Sequence, residues 1–204
     1  FVRQGVTTVV GGNCGGSPVD LDTFFGELID GGAALNVAVL IGHNSVRRTI
    51  MGNEGRGPTP DELERMKILV ADAMEAGAVG LSTGLKYRPG MYADTGEVVA
   101  LARVAADYGG FYASHLRDEG QELVASVEEA VLIGERAGIP VQISHHKVVG
   151  VDSWGASERT LDIMEAARSR GVDVTCDQYA YPATYTGIAI LFPGWAIEGS
   201  GEEI

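Results

Sequence analysis

Cysteine is scarce. The chain holds only Cys14 and Cys176, far apart, which excludes the dense, evenly paired pattern of a small disulfide-stapled scaffold and makes a reduced compartment, the cytoplasm, the expectation. Basic residues are scarce as well. Fifteen Lys and Arg stand against 28 Asp and Glu, a formal charge of -13, leaving no basic stripe for a phosphate backbone, so a nucleic-acid partner is not expected. No apolar run approaches the roughly 18 residues that a membrane-spanning helix needs, so no membrane role is expected either. There is no low-complexity tract and no GxGxxG after any strand-like run, which removes the usual dinucleotide signature.

What is present is a repeating rhythm. Apolar runs of strand length recur at 7 to 12, 36 to 43, 78 to 84, 110 to 117, 140 to 147 and 173 to 180. Helical patterns lie between them. In TPDELERMKILVADAMEAG, Thr59 and Glu62 form a capping box, Pro60 suits the first helical position, and Leu63, Met66, Val70 and Ala73 make one apolar face. A second helix is expected at about 121 to 137, a third from Asp94 and Glu97, and a fourth from Ser157. Near-continuous apolar strands with a helix after each imply a parallel sheet covered on its faces, either doubly wound or a (β/α)8 barrel. The polar residues favour the barrel. Asn13 and Cys14, His43, Ser82 and Thr83, His115 and Arg117, His145 and Lys147, and Asp177 and Tyr179 all fall at C-terminal strand ends, as barrel active sites require. Six strands cannot close the usual eight-stranded barrel, so residues 1–204 read as one partial barrel domain with strands two to seven. A chain opening on Phe1, within what reads as the tail of a helix, leads to the expectation that sequence is missing before it.

The stretches GVTTVVGGNCG, GAVGLSTGLKYRPGMYADTGEVVALARVAADYGGFYASHLRDEG, ISHHKVVG and LFPGWAIEG resemble, in order and spacing, the D-aminoacylase (N-acyl-D-amino-acid deacylase) family of the amidohydrolase superfamily. The resemblance implies a metal-dependent TIM-barrel hydrolase, usually with zinc, that cleaves N-acyl-D-amino acids to a carboxylate and a free D-amino acid.

It also implies residues. A thiolate and two imidazoles suit zinc, and three protein ligands with an open position make a catalytic site; Cys14, His115 and His145 would supply the set. Strand parity does not choose between His145 and His146, but the matching pairs Ser114–His115 and Ser144–His145 favour His145, with His146 either behind the ligands or in the wall. Lys147 would pair with the substrate carboxylate, and Tyr179 or Tyr181 would approach the substrate, the choice left open because DQYAYPAT displaces a proline of the family pattern. His43 reads as a capping residue, Cys176 as core, and Ser82 and Thr83 as hydroxyls bonding to rim loops. Lys86, past its strand, does not fit a bridging carboxylated lysine. Arg117, Asp118 and Glu119 read as a structural ion-pair cluster, none of them a general base.

The family's HxH pair is expected before Phe1 and its general-base aspartate beyond Ile204; Asp177 is the one free strand-end carboxylate, on the wrong strand for that role. The alternatives are another amidohydrolase chemistry, such as opening of a cyclic amide, and a metal-binding but inactive barrel piece.

Overall fold

The computed structural model describes residues 1–181 and 183–192; the end of the LFPGWAIEG stretch lies outside them. Among the described residues, seven strands are interleaved with helices along the chain. The strands are β1 Thr8–Gly11, β2 Asn36–Val39, β3 Ile41–Gly42, β4 Gly80–Gly84, β5 Phe111–His115, β6 Val141–Ile143 and β7 Val174–Cys176. The main helices are α1 Leu21–Gly31, α2 His43–Met51, α3 Pro60–Glu75, α4 Thr95–Asp107, α5 Leu123–Ala137 and α6 Ala156–Ser169.

Every pairing is parallel, and the spatial order is the sequence order: β1 beside β2, then β3, β4, β5, β6 and β7 in turn. The run expected at 36 to 43 is divided at Leu40, yet it still serves both neighbours. Leu40 N donates to Gly11 O at 3.0 Å, and Val79 N donates to Val39 O at 2.9 Å. One strand thus joins the two sheet segments. A doubly wound sheet reverses its order at a switch point; an unbroken sequential order is the barrel arrangement.

The helices form the outer layer, with α2 to α6 each packed on the next. Their caps follow the sequence. Thr59 and Glu62 make the expected capping box on α3, and Asp94 accepts from Glu97 N at the start of α4. α6 differs from expectation: it starts at Ala156 behind Gly155, with no side-chain cap from Ser157. The core between layers is Leu81, Leu101, Tyr112, Leu123, Ile133 and Ile143, all fully buried, each aliphatic contributing about 1.5–3 kcal/mol of transfer free energy. Cys176 departs from the core reading. It is exposed because β7 pairs only with β6 among the described residues and nothing covers its outer positions.

One polar group sits deep in this layer. Glu97 on α4 accepts from His43 Nε2 at 2.8 Å and Arg47 Nη1 at 2.5 Å, with all three side chains buried. His43 therefore ties α2 to α4 and does not face the strand-end cleft; it opens α2 without a side-chain capping bond, so the capping reading does not hold. Burial pushes the Glu97 carboxyl up, but the His43 and Arg47 contacts outweigh it and hold it below the usual carboxylate range. A carboxyl lowered on folding stabilises above its unfolded value and loses that stabilisation as pH falls through its folded value. Glu97→Gln should therefore cost about 1.5–3 kcal/mol at neutral pH and flatten the acid limb of stability, both read by urea unfolding across pH.

Candidate metal centre and substrate cleft

The C-terminal strand ends converge on one cleft. Cys14 lies in the loop after β1, His115 is the last residue of β5, and His145 follows β6. Their donor atoms all lie within 4.8 Å of one another. Both histidines are buried, and Cys14 is partly so.

The local backbone explains the convergence. Among the described residues, Cys14 (φ 55°) and His145 (φ 41°) are the non-glycine residues with positive φ, a conformation that costs of order 1–3 kcal/mol and persists only where surroundings enforce it. For Cys14 the enforcement is close packing. A Cβ at Gly84 would lie 2.2 Å from Cys14 O, and one at Gly12 would lie 2.1 Å from Leu40 O, so only glycine lets the loop descend onto the strands. The Ser82 hydroxyl then accepts from Gly15 N at 3.0 Å and donates to Gly12 O, pinning the loop on both sides of the cysteine. For His145 the enforcement is Asp177, whose Oδ1 accepts from His145 N at 2.6 Å while Oδ2 accepts from Gln142 Nε2 at 2.7 Å. Asp177 is thus committed to holding a turn.

The donors fit a tetrahedral metal. Cys14 Sγ and His145 Nε2 are 3.5 Å apart, which matches the separation of about 3.5 Å for a sulfur and a nitrogen bound to one zinc at ordinary bond lengths. His115 Nδ1 is buried with no hydrogen-bond partner among the described residues. Burial pushes His115 down to about 4, so its ring is neutral, the form that ligates. At His145 burial opposes charge, but hydrogen bonds with Cys14 and Glu119 prevail and raise it to about 9.

The cleft beside these donors has a volume of about 280 Å³ and is lined by Tyr87, Glu119, Lys147, Val149, Tyr179 and Tyr185, among others. Lys147 Nζ lies 2.5 Å from Glu119 Oε1, 3.0 Å from His145 Nδ1 and 5.2 Å from the Tyr179 ring. Tyr179 stands 5.5 Å from the His145 ring. Tyr181 does not line this cleft and is 77% exposed. His146 does not line the cleft either; it is buried, its Nε2 2.8 Å from Thr160 Oγ1. Thr83 departs from expectation, since it bonds inside the core with Tyr112 OH at 2.9 Å.

The charged cluster after His115 divides. Arg117 bonds Glu129 and the Met91 and Ala93 carbonyls, and Asp118 pairs with Lys86, as a structural network would. Glu119 does not belong with them: it faces His145, Lys147 and, at 3.9 Å, His115. Three consecutive charged residues carry no periodicity to single it out, and only its i,i+4 relation to His115 marks it in the sequence. Tyr87, whose ring lies 4.6 Å from that of His115, carries no such mark.

No family model matches the chain. It is 40% identical over 93% of its length to an N-acyl-D-glutamate deacylase, and 40% identical over 91% to a D-aminoacylase, both of Alcaligenes xylosoxydans xylosoxydans. It spans 43% of the length of each. Among solved structures, an N-acyl-D-glutamate deacylase of Bordetella bronchiseptica, complexed with zinc and a phosphonate mimic of the tetrahedral intermediate, superposes with TM-score 0.85 at 38% identity, over 89% of this chain and 43% of that one.

Proposed function

We propose that this chain, a member of the D-aminoacylase family of the amidohydrolase superfamily, carries the greater part of the active-site rim of a zinc-dependent hydrolase that cleaves the amide of N-acyl-D-amino acids. The observation that carries the reading is the Cys14, His115 and His145 donor set within 4.8 Å at strand ends, opening onto a cleft that holds a lysine. Bound there, a zinc ion polarises a carbonyl and makes a water acidic near neutral pH.

The chain's own residues have separable tasks. His115 keeps a neutral, buried imidazole, and His145 stands beside the Cys14 sulfur. Lys147 presents an ammonium to the free carboxylate that every N-acyl-amino acid bears, and Tyr179 and Tyr87 supply flat walls that exclude water. Asp177 holds the turn at His145 and does not line the cleft, so it is not placed to shuttle a proton there.

Two assays test this. The intact protein with zinc should hydrolyse N-acetyl-D-amino acids and leave their L-enantiomers; equal turnover of both enantiomers, or of neither, would refute the reading. The 204-residue chain alone should turn over at least about tenfold more slowly, a barrier difference of about 1.4 kcal/mol or more. It should also aggregate, since β1 and β7 each leave one edge unpaired among the described residues. Comparable turnover by both chains would show that Asp177 or water suffices.

A further inference from the structure

We propose that Glu119 is a positioning residue for the metal centre: its carboxylate fixes the His145 tautomer that turns a lone pair toward Cys14, and keeps Lys147 from imposing the opposite one. The inference rests on the metal-dependent reading and deepens it.

The argument is one of donors and acceptors around a single atom. His145 Nδ1 has Glu119 Oε1 at 3.1 Å and Lys147 Nζ at 3.0 Å. An ionised carboxylate only accepts, and an ammonium only donates. In its ligating form the imidazole is neutral and carries one proton. If the proton is on Nδ1, it is donated to Glu119, and Nε2 faces Cys14 Sγ at 3.5 Å with its lone pair free. If Lys147 donates to Nδ1 instead, the proton sits on Nε2 and blocks ligation. Glu119 decides between them twice over. It accepts from Nδ1, and it draws the ammonium to itself at 2.5 Å, while His145 O accepts from the same ammonium at 3.2 Å. The Glu119 side chain is only 12% exposed, so little water competes for these contacts. A carboxylate behind a ligating histidine orients the ring and raises its basicity, and removing one typically costs 10–100-fold in metal affinity.

The test is zinc affinity of the intact protein, measured by competition with a chromophoric chelator, with folding checked by circular dichroism. Glu119→Ala should bind zinc about 10–100-fold more weakly. Glu119→Gln, which keeps an acceptor oxygen, should lose less, and Lys147→Ala should stay within about threefold of the parent, since the lysine is not needed for the ligating tautomer. The double variant Glu119→Ala with Lys147→Ala should recover part of the loss, because the competing donor is gone. A Glu119→Ala protein that binds zinc as the parent does, or a double variant no tighter than Glu119→Ala, would overturn the proposal. A parent without zinc affinity would instead overturn the metal-dependent reading on which it stands.

Discussion

Replacing any one of Cys14, His115 or His145 should strip the protein of zinc, whereas replacing His146 should not. Structural zinc sites with four ligands bind with roughly 10–16 kcal/mol, so each ligand is worth on the order of 3 kcal/mol, and its loss two to three orders of magnitude in affinity. Cys14→Ser nearly keeps side-chain volume, and His115→Asn and His145→Asn keep a planar polar side chain, which limits collateral unfolding. His146→Asn is the discriminating control. Its ring bonds Thr160 under α6 and does not reach the donor set, so metal content by atomic emission should stay at the parent's level. A His146 variant that loses zinc while the His145 variant retains it would reverse the assignment.

Lys147→Ala should lower kcat/KM by about 2 to 4 kcal/mol while zinc stays bound, the cost of removing one partner of a charge pair in a desolvated cleft. The loss should fall mainly on KM, because the carboxylate it holds is present in substrate and transition state alike. An ester analogue without that carboxylate should lose little from the same substitution. The contact with Glu119 fixes where the ammonium waits before substrate arrives. An unchanged kcat/KM would reduce Lys147 to a partner of Glu119.

Much of this was legible in the sequence, for identifiable reasons. Barrel strands buried on both faces leave near-continuous apolar runs, and capping residues such as Thr59, Glu62 and Asp94 mark helix starts with side-chain chemistry that survives in any context. The candidate ligands were legible because cysteine and histidine are rare here and stand at strand ends. What was not legible depends on contacts between distant segments. Nothing near Glu97 announces that His43 and Arg47 will meet it. The choice between Tyr179 and Tyr181 depends on how the loop after β7 turns, and the displaced proline beside them obscures just that. Cys176 was misread because alternation places it inward, whereas burial depends on a neighbouring strand that the described residues do not include.

The central claim is that the cysteine after β1 is a metal ligand, and cobalt substitution reads it directly. A thiolate bound to Co²⁺ gives an intense near-ultraviolet charge-transfer band, and the chain has only two cysteines that could produce it. The intact protein titrated with Co²⁺ should develop the band to saturation, Cys176→Ser should retain it in full, and Cys14→Ser should lose it. A band that survives Cys14→Ser, or that disappears with Cys176→Ser, would contradict the account.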